Sequence, residues 1–336
     1  MLIKFFNIFT KEIKYIDATI RFRNALHSIA LQMKKILKMV TLLFVLVIIS
    51  LYFIPFTQKT VFAYYGQDDE FIQNLKDLRS KSMKTVQVND IQWKYYTGGS
   101  GSKCILFIHG MGGSYDFWWN QLRYFEPQFK VISYTLPNEI NSLEGVESGL
   151  MAILAQEKIE KFIPIGTSMG GYITQYLLTK HPEKVEKAVI GNSFPPNDYI
   201  AKENATNRIL IPLLPEYLVG KMAESHLKKD IFPTSENNRL LEAFLLSVPF
   251  SKKGLASRFD VVTDTFVATP EKPEVKAIPK LILESDNDPM ITPDLRSQLK
   301  TLYPEAHVFT FHNKGHFPYI NDMDTYNKIV IDFLMQ

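Results

Sequence analysis

The hexapeptide Gly166-Thr167-Ser168-Met169-Gly170-Gly171 constrains this chain more than any other stretch. An apolar run, Lys161 to Ile165, leads into it, and residues with helical spacing, Tyr172 to Leu178, follow it. That is the strand, tight turn and helix context a Gly-x-Ser-x-Gly nucleophile elbow requires. The turn forces Ser168 into a backbone conformation that only small flanking residues permit. Gly166 and Gly170 are therefore needed for sterics, and the hydroxyl is held up at the carboxyl end of a strand.

A serine hydroxyl is a weak nucleophile until a base takes its proton. Of the seven histidines, His316 stands where a base is expected. His307 to Phe311 alternates like a strand and runs into Asn313-Lys314-Gly315-His316-Phe317-Pro318-Tyr319, so His316 lies just past a strand end. His312 is a lesser candidate, because it falls before the strand has clearly ended. The orienting acid belongs after the preceding strand, Pro279 to Leu283, which delivers Glu284-Ser285-Asp286-Asn287-Asp288-Pro289. Three carboxylates in five residues leave a choice. Asp288, a few residues past the strand and just before an apolar turn, is the first candidate and Asp286 the second. Asp198, after the strand Ala188 to Ile190, is the third. The apolar run Cys104 to Ile108 reads as a strand covered on both faces and ends in His109-Gly110-Met111-Gly112-Gly113-Ser114. Such a glycine loop can aim an amide at a developing alkoxide, and the amides of Met111 and Met169 are the expected oxyanion donors. His109 reads as a hydrogen-bonding residue beneath that loop. A phosphate-cradling loop does not fit, since no Lys-Ser/Thr pair follows and no Gly-x-Gly-x-x-Gly is present.

With these motifs in place, residues 86–336 resemble the α/β-hydrolase superfamily, in its esterase, lipase and carbon–carbon hydrolase branch. The His-Gly loop, Gly-Thr-Ser-Met-Gly-Gly, the late Asp and Gly-His-Phe-Pro-Tyr carry the resemblance. A second similarity, to maspardin-like proteins, rests on Gly191-Asn192-Ser193-Phe194, Leu255-Ala256-Ser257-Arg258 and Leu302-Tyr303-Pro304. Members of that group can lack the catalytic acid and histidine, whereas this chain has candidates for both. It departs from many family members after Lys130 to Thr135, where Leu136-Pro137-Asn138-Glu139 replaces an Asp and a Gly-x-Gly.

Strand and helix signals alternate through the domain. Val86 to Tyr96 gives one or two antiparallel strands; Cys104–Ile108, Val131–Tyr134, Phe162–Ile165, Ala188–Ile190, Leu281–Leu283 and Val308–Phe311 follow, with helices at 143–158, 170–181, 293–302 and 323–335. This is an α/β pattern: a mostly parallel central sheet, helices on both faces, and binding at the carboxyl ends of the strands. Between about 195 and 275 the alternation stops for longer than any ordinary connection. A helical cap insertion over the active site is expected there; its apolar residues, such as Leu210, Ile211, Leu213, Leu214, Leu218, Leu241, Phe244 and Leu245, either line an acyl pocket or, for most of them, pack the cap on the core.

Residues 1–38 hold eight Lys or Arg against two acidic residues, and Met39 to Phe56 carries no charge. That pattern predicts a cytoplasmic basic segment (1–38), a transmembrane signal anchor (39–56), a linker (57–85) and an extracytoplasmic catalytic domain. The alternative is a secretory signal peptide starting at Met33, cut after Val61-Phe62-Ala63, which would leave a secreted or periplasmic enzyme. The membrane is thus one expected partner and a small ester or acyl compound the other. No cofactor and no metal is expected, because no Cys/His cluster has ligand spacing, and the single cysteine, Cys104, cannot form an internal disulfide. Subtracting the +6 of residues 1–38 from the overall +3 leaves −3 for the rest, which gives no support for nucleic-acid binding.

The reading at this stage is a serine hydrolase of carboxylic esters acting through Ser168, His316 and Asp288. Two alternatives stand beside it. One is a carbon–carbon bond hydrolase, for which Arg208, Arg239 and Arg258 are candidate carboxylate clamps. The other is a non-catalytic, maspardin-like binding protein.

Overall fold

The computed structural model describes residues 2–65 and 69–336; within its first helix, side chains are described at residue 15 and from residue 19 onward. The chain forms two units, residues 1–55 and 56–336.

The first unit is a single long helix, α1 (Leu2–Leu51), followed by a turn at Tyr52 to Ile54. The transmembrane helix expected over 39–56 is not supported, and neither is a signal anchor or a membrane partnership through that helix. The helix stops at Leu51, so its charge-free portion spans only 39–51, about 20 Å at 1.5 Å per residue against a hydrocarbon core of about 30 Å. Lys34, Lys35 and Lys38 lie immediately before that portion. Among the described residues no helix is long and apolar enough to cross a membrane.

The second unit begins with α2 (Val61–Tyr64) and α3 (Glu70–Ser80), inside the stretch expected to be a linker. Asp69 caps α3 by accepting from the amides of Phe71 and Ile72, and Ile72, Leu75 and Leu78 recur at helical spacing on its buried face. Val61 is fully buried in the same core, and Phe62 packs against it. A cut after Ala63 would remove both. Then come β1 (Lys84–Val88), β2 (Ile91–Gly98), β3 (Cys104–Ile108), α4 (Trp119–Phe125), β4 (Lys130–Thr135), α5 (Leu143–Gln156), β5 (Ile163–Thr167), α6 (Met169–Lys180) and β6 (Ala188–Gly191). Helices α7 (Asp198–Leu213), α8 (Glu216–His226), α9 (Arg239–Ser247), α10 (Lys252–Thr263) and α11 (Pro273–Lys276) intervene before β7 (Lys280–Ser285), α12 (Pro293–Leu302), β8 (His307–Phe311), α13 (Pro318–Asn321) and α14 (Met323–Met335).

The eight strands form one sheet in the order β1-β2-β4-β3-β5-β6-β7-β8. β1 and β2 are antiparallel to their neighbours and the rest run parallel. Because side chains alternate along a strand, Ile105 and Phe107 point into one core with Trp118, Leu122, Phe125 and Val330, while Cys104, Leu106 and Ile108 point into the other with Leu150, Ile153, Ile173 and Leu177. Both faces are covered, which is why β3 carries no polar residue. In register, Ile108 pairs with Gly166, Gly166 with Ile190, Ile190 with Ile282 and Ile282 with Val308. The loops leaving β3, β5, β6, β7 and β8 therefore emerge side by side.

Of the apolar cap residues, Ile211, Leu241, Phe244 and Leu245 are buried, whereas Leu210 and Leu213 are exposed. Phe244 packs on Phe117 and Trp119, which fastens α9 to the body.

Candidate active site

Ser168 turns the chain from β5 into α6 with φ 55° and ψ −122°, a left-handed conformation that is costly for a side-chain-bearing residue. The surroundings enforce it. A Cβ at Gly166 would overlap the carbonyl of Gly170, and one at Gly170 would overlap the carbonyl of Ile108. The Ser168 amide donates to Gly191 O at 2.9 Å, and the Ser193 hydroxyl donates to Ser168 O at 2.8 Å. The elbow is thus held from β6 as well as from its own strand.

The glycine loop after β3 abuts the elbow. The Cβ position of Gly110 lies 3.1 Å from Ser168 Cβ and 3.7 Å from its Oγ, so a side chain there would press on the serine. The Gly113 amide closes the turn on Gly110 O at 3.0 Å, and Gly112 has φ 76°. Met111 is half-buried in this loop. Met169 is the first residue of α6, where an amide has no partner in a preceding helical turn. His109 is fully buried. Its Nε2 accepts from the Leu136 amide at 3.2 Å, so the proton resides on Nδ1, which donates to Gly110 O at 2.8 Å. Burial pushes its pKa down to about 4, helped by the nearby Arg258 cation and opposed by the Gly110 bond. A neutral ring with both nitrogens engaged is a brace for the loop, not a base.

His316 and Asp288 come together from the loops after β8 and β7. His316 Nδ1 lies 3.0 and 2.9 Å from the two carboxylate oxygens, and both side chains are buried. Asp288 Oδ1 also accepts from the amides of Met290 (2.8 Å) and Ile291 (3.1 Å), and Oδ2 accepts from Asn192 Nδ2 at 2.8 Å. Burial opposes ionisation of Asp288, yet the His316 charge and these bonds hold its pKa below the usual carboxylate value. The carboxylate is the stable form.

The competing residues are placed elsewhere. Asp286 pairs with His312 at 2.8 Å and accepts from the Asn313 amide, with His312 78% exposed. Asp198 is exposed in the first turn of α7. Arg258 is buried and donates to the carbonyls of Leu136 and Pro137, tying α10 to the loop after β4, and burial lowers its pKa to about 10. Arg208 pairs with Asp260 at 3.0 Å, and Arg239 opens α9. Among the described residues no cluster suited to a metal ion occurs.

Two asparagines belong to the site and escaped the sequence reading. Asn192 reaches Asp288 from the end of β6. Asn287 accepts from the Gly315 amide at 2.9 Å and donates to Thr234 O in the cap at 2.8 Å. The available signal was position: each directly follows or flanks a strand's carboxyl end, as the candidate triad does.

An eight-stranded, mostly parallel sheet with helices on both faces, a serine elbow after β5 and a helical insertion after β6 is the α/β-hydrolase fold. Residues 105–329 match the model of the alpha/beta hydrolase family, and the chain belongs to that family as a hydrolase. It is similar to a 2-hydroxy-6-oxononadienedioate/2-hydroxy-6-oxononatrienedioate hydrolase of Dechloromonas aromatica, 24% identical over 73% of this chain and 91% of that protein. It is 25% identical to the sn-1-specific diacylglycerol lipase ABHD11 of Mus musculus over 57% of this chain and 65% of the other. Among solved structures, the enol-lactonase from Burkholderia xenovorans LB400 superposes with a TM-score of 0.65 at 18% identity, covering 75% of this chain and 100% of that one. This structural likeness carries the fold.

Proposed function

We propose that residues 86–336 hydrolyse carboxylic esters by acyl transfer to Ser168. Ser168 Oγ attacks the carbonyl carbon while His316 Nε2 takes its proton. Asp288 holds the Nδ1–H tautomer and stabilises the imidazolium, and the Met111 and Met169 amides receive the oxyanion. Collapse of the tetrahedral intermediate expels the alcohol, protonated by His316. Water, deprotonated by the same ring, then attacks the acyl-enzyme and frees the acid.

The observation that carries this reading is the buried Asp288–His316 pair, with both carboxylate oxygens within 3.0 Å of Nδ1, on loops that leave the same carboxyl edge of the sheet as the strained Ser168. A binding protein has no need of a buried carboxylate partner for a histidine at the same carboxyl edge of the sheet as a strained serine, so the maspardin-like alternative loses weight. The carbon–carbon hydrolase reading draws on the name of the Dechloromonas relative. Against it, Arg258 is committed to main-chain carbonyls and Arg208 to Asp260, which leaves two of its three candidate clamps engaged.

The test is turnover of p-nitrophenyl esters from acetyl to palmitoyl by the full chain, with Ser168→Ala as control and a vinylogous diketone acid in parallel. Ester turnover abolished in the variant supports the proposal. Turnover of the diketone acid alone would replace it with carbon–carbon cleavage.

A further inference from the structure

We propose that Asn192 is a positioning residue of this site: its side-chain amide, delivered by the end of β6, fixes the Asp288 carboxylate and the Gly315 peptide and thereby sets the His316 ring. The inference rests on reading Ser168, His316 and Asp288 as a triad.

Asn192 is 2% exposed, and its own amide donates to Leu283 O at 2.7 Å, locking it to β7. Its Nδ2 lies 2.8 Å from Asp288 Oδ2, 3.3 Å from Gly315 O and 3.4 Å from Ser285 Oγ. One amide hydrogen goes to the carboxylate and the other faces the carbonyl that immediately precedes His316. The same group therefore touches both sides of the Asp288–His316 pair.

The division of labour on Asp288 is uneven. Oδ1 is held by two main-chain amides, whereas Oδ2 has Asn192 as its partner apart from His316. Without Asn192 the only remaining partner of Oδ2 in the site is the His316 ring that the carboxylate is meant to orient, so acid and ring can shift together. The orientation of the Asn192 amide follows from chemistry: carboxylate and carbonyl accept only, so nitrogen must face them. The Asn192 Oδ1 is consequently buried with no hydrogen-bond partner, which costs free energy. The residue also sits at φ 40°, where glycine would be unstrained. A residue that fills space has no reason to accept both penalties, whereas a donor aimed at Asp288 does.

The titratable groups facing Asn192 are Asp288 from the loop after β7 and, through it, His316 from the loop after β8. Asn192→Ala and Asn192→Asp in the full chain separate positioning from packing. The alanine variant should lower kcat about 10- to 100-fold, as expected for loss of alignment, with KM within about twofold of the parent. In the isosteric aspartate variant the introduced carboxyl and Asp288 cannot both ionise at hydrogen-bond distance and share a proton. While that proton is held, the new O–H replaces the amide donor and kcat returns to within about tenfold of the parent. Above the pH at which it is lost, activity falls to the alanine level, an alkaline limb the parent lacks. The rate of Ser168 labelling by an alkyl fluorophosphonate should follow the same pattern. Parent-like kcat in Asn192→Ala overturns the inference. So does equal impairment of both variants at every pH together with a lowered melting temperature, which marks a packing role. If the parent labels but turns over no ester, the labelling rates still decide. A parent that neither labels nor turns over sinks the triad reading and this inference with it.

Discussion

Asp288→Asn replaces one carboxylate oxygen by NH2 and leaves shape unchanged, so its effect can be worked from hydrogen-bond roles alone. The new amide oxygen keeps the Oδ1 position, where the Met290 and Ile291 amides need an acceptor. The NH2 then occupies the Oδ2 position, facing Asn192 Nδ2 and His316 Nδ1. Donor meets donor at Asn192, and the nearer of the two His316 contacts favours an Nδ1 lone pair toward the new NH2 over a proton shared with the oxygen that already accepts from two amides. The ring proton moves to Nε2, which can no longer accept from Ser168. In serine-protease triads the same exchange lowers kcat by about 10⁴, equivalent to about 5.5 kcal/mol. That loss is expected here in p-nitrophenyl ester turnover, with a melting temperature close to the parent. Asp286→Asn is the control, because Asp286 pairs with exposed His312 on the surface, and it should change kcat less than about twofold. Retention of more than about a tenth of the activity by Asp288→Asn would remove Asp288 from the triad, as would an equal loss in Asp286→Asn.

Three further outcomes can be measured. Glu157 resists ionisation through burial, yet Lys130, Lys84 and Tyr95 bonds bring its pKa down to about 2, so its stabilisation is complete above the unfolded value near 4.5 and is lost as pH falls toward 2; with solvent screening of the partly exposed lysines, acid unfolding should lose about 1–2 kcal/mol across that window in the parent, and Glu157→Gln should abolish most of that slope. A chain starting at residue 65 lacks fully buried Val61, the Phe56–Phe250 edge contact and the Gln58 acceptor for the Phe250 amide, so it should melt several degrees below a chain starting at residue 56; equal melting would show the segment to be dispensable. Asn287→Ala cuts the link from the cap at Thr234 to the Gly315 amide, and should change kcat and KM together, whereas an unchanged KM would separate the cap from the His316 loop.

What the sequence disclosed, and what it hid, divides along physical lines. The strands were legible because a sheet covered on both faces demands continuous apolar runs, and Cys104 to Ile108 is one. The elbow was legible because sterics at Gly166 and Gly170 leave no alternative residue. The acid was ambiguous because Glu284, Asp286 and Asp288 differ only in where the backbone turns them. The structure sends Glu284 to Lys300 and Thr310, Asp286 to His312, and Asp288 to His316. Residues 70–80 were hidden because only Ile72, Leu75 and Leu78 mark the buried face of an otherwise polar helix. The 39–56 run misled for the opposite reason: hydropathy counts missing charges but does not register that the helix ends at Leu51.

Asn192 and Asn287 were invisible for a deeper reason. Asparagine is an ordinary turn former, so its presence after a strand carries no local surprise. The surprise appears only in three dimensions, where penalties accumulate. Ser168 at φ 55° and Asn192 at 40° leave the neighbouring strands β5 and β6, and the next strand, β7, contributes a carboxylate ionised despite burial. Other left-handed side-chain-bearing residues, such as Asn89 and Asp90 in the β1–β2 turn, satisfy a hairpin that requires that conformation. At the carboxyl ends no turn type demands it. What Ser168, Asn192, Asp288 and His316 share is one carboxyl edge of the sheet, where strained backbone and a buried carboxylate coincide, and it is that coincidence, more than any single motif, that marks a candidate chemical site against a well-packed edge.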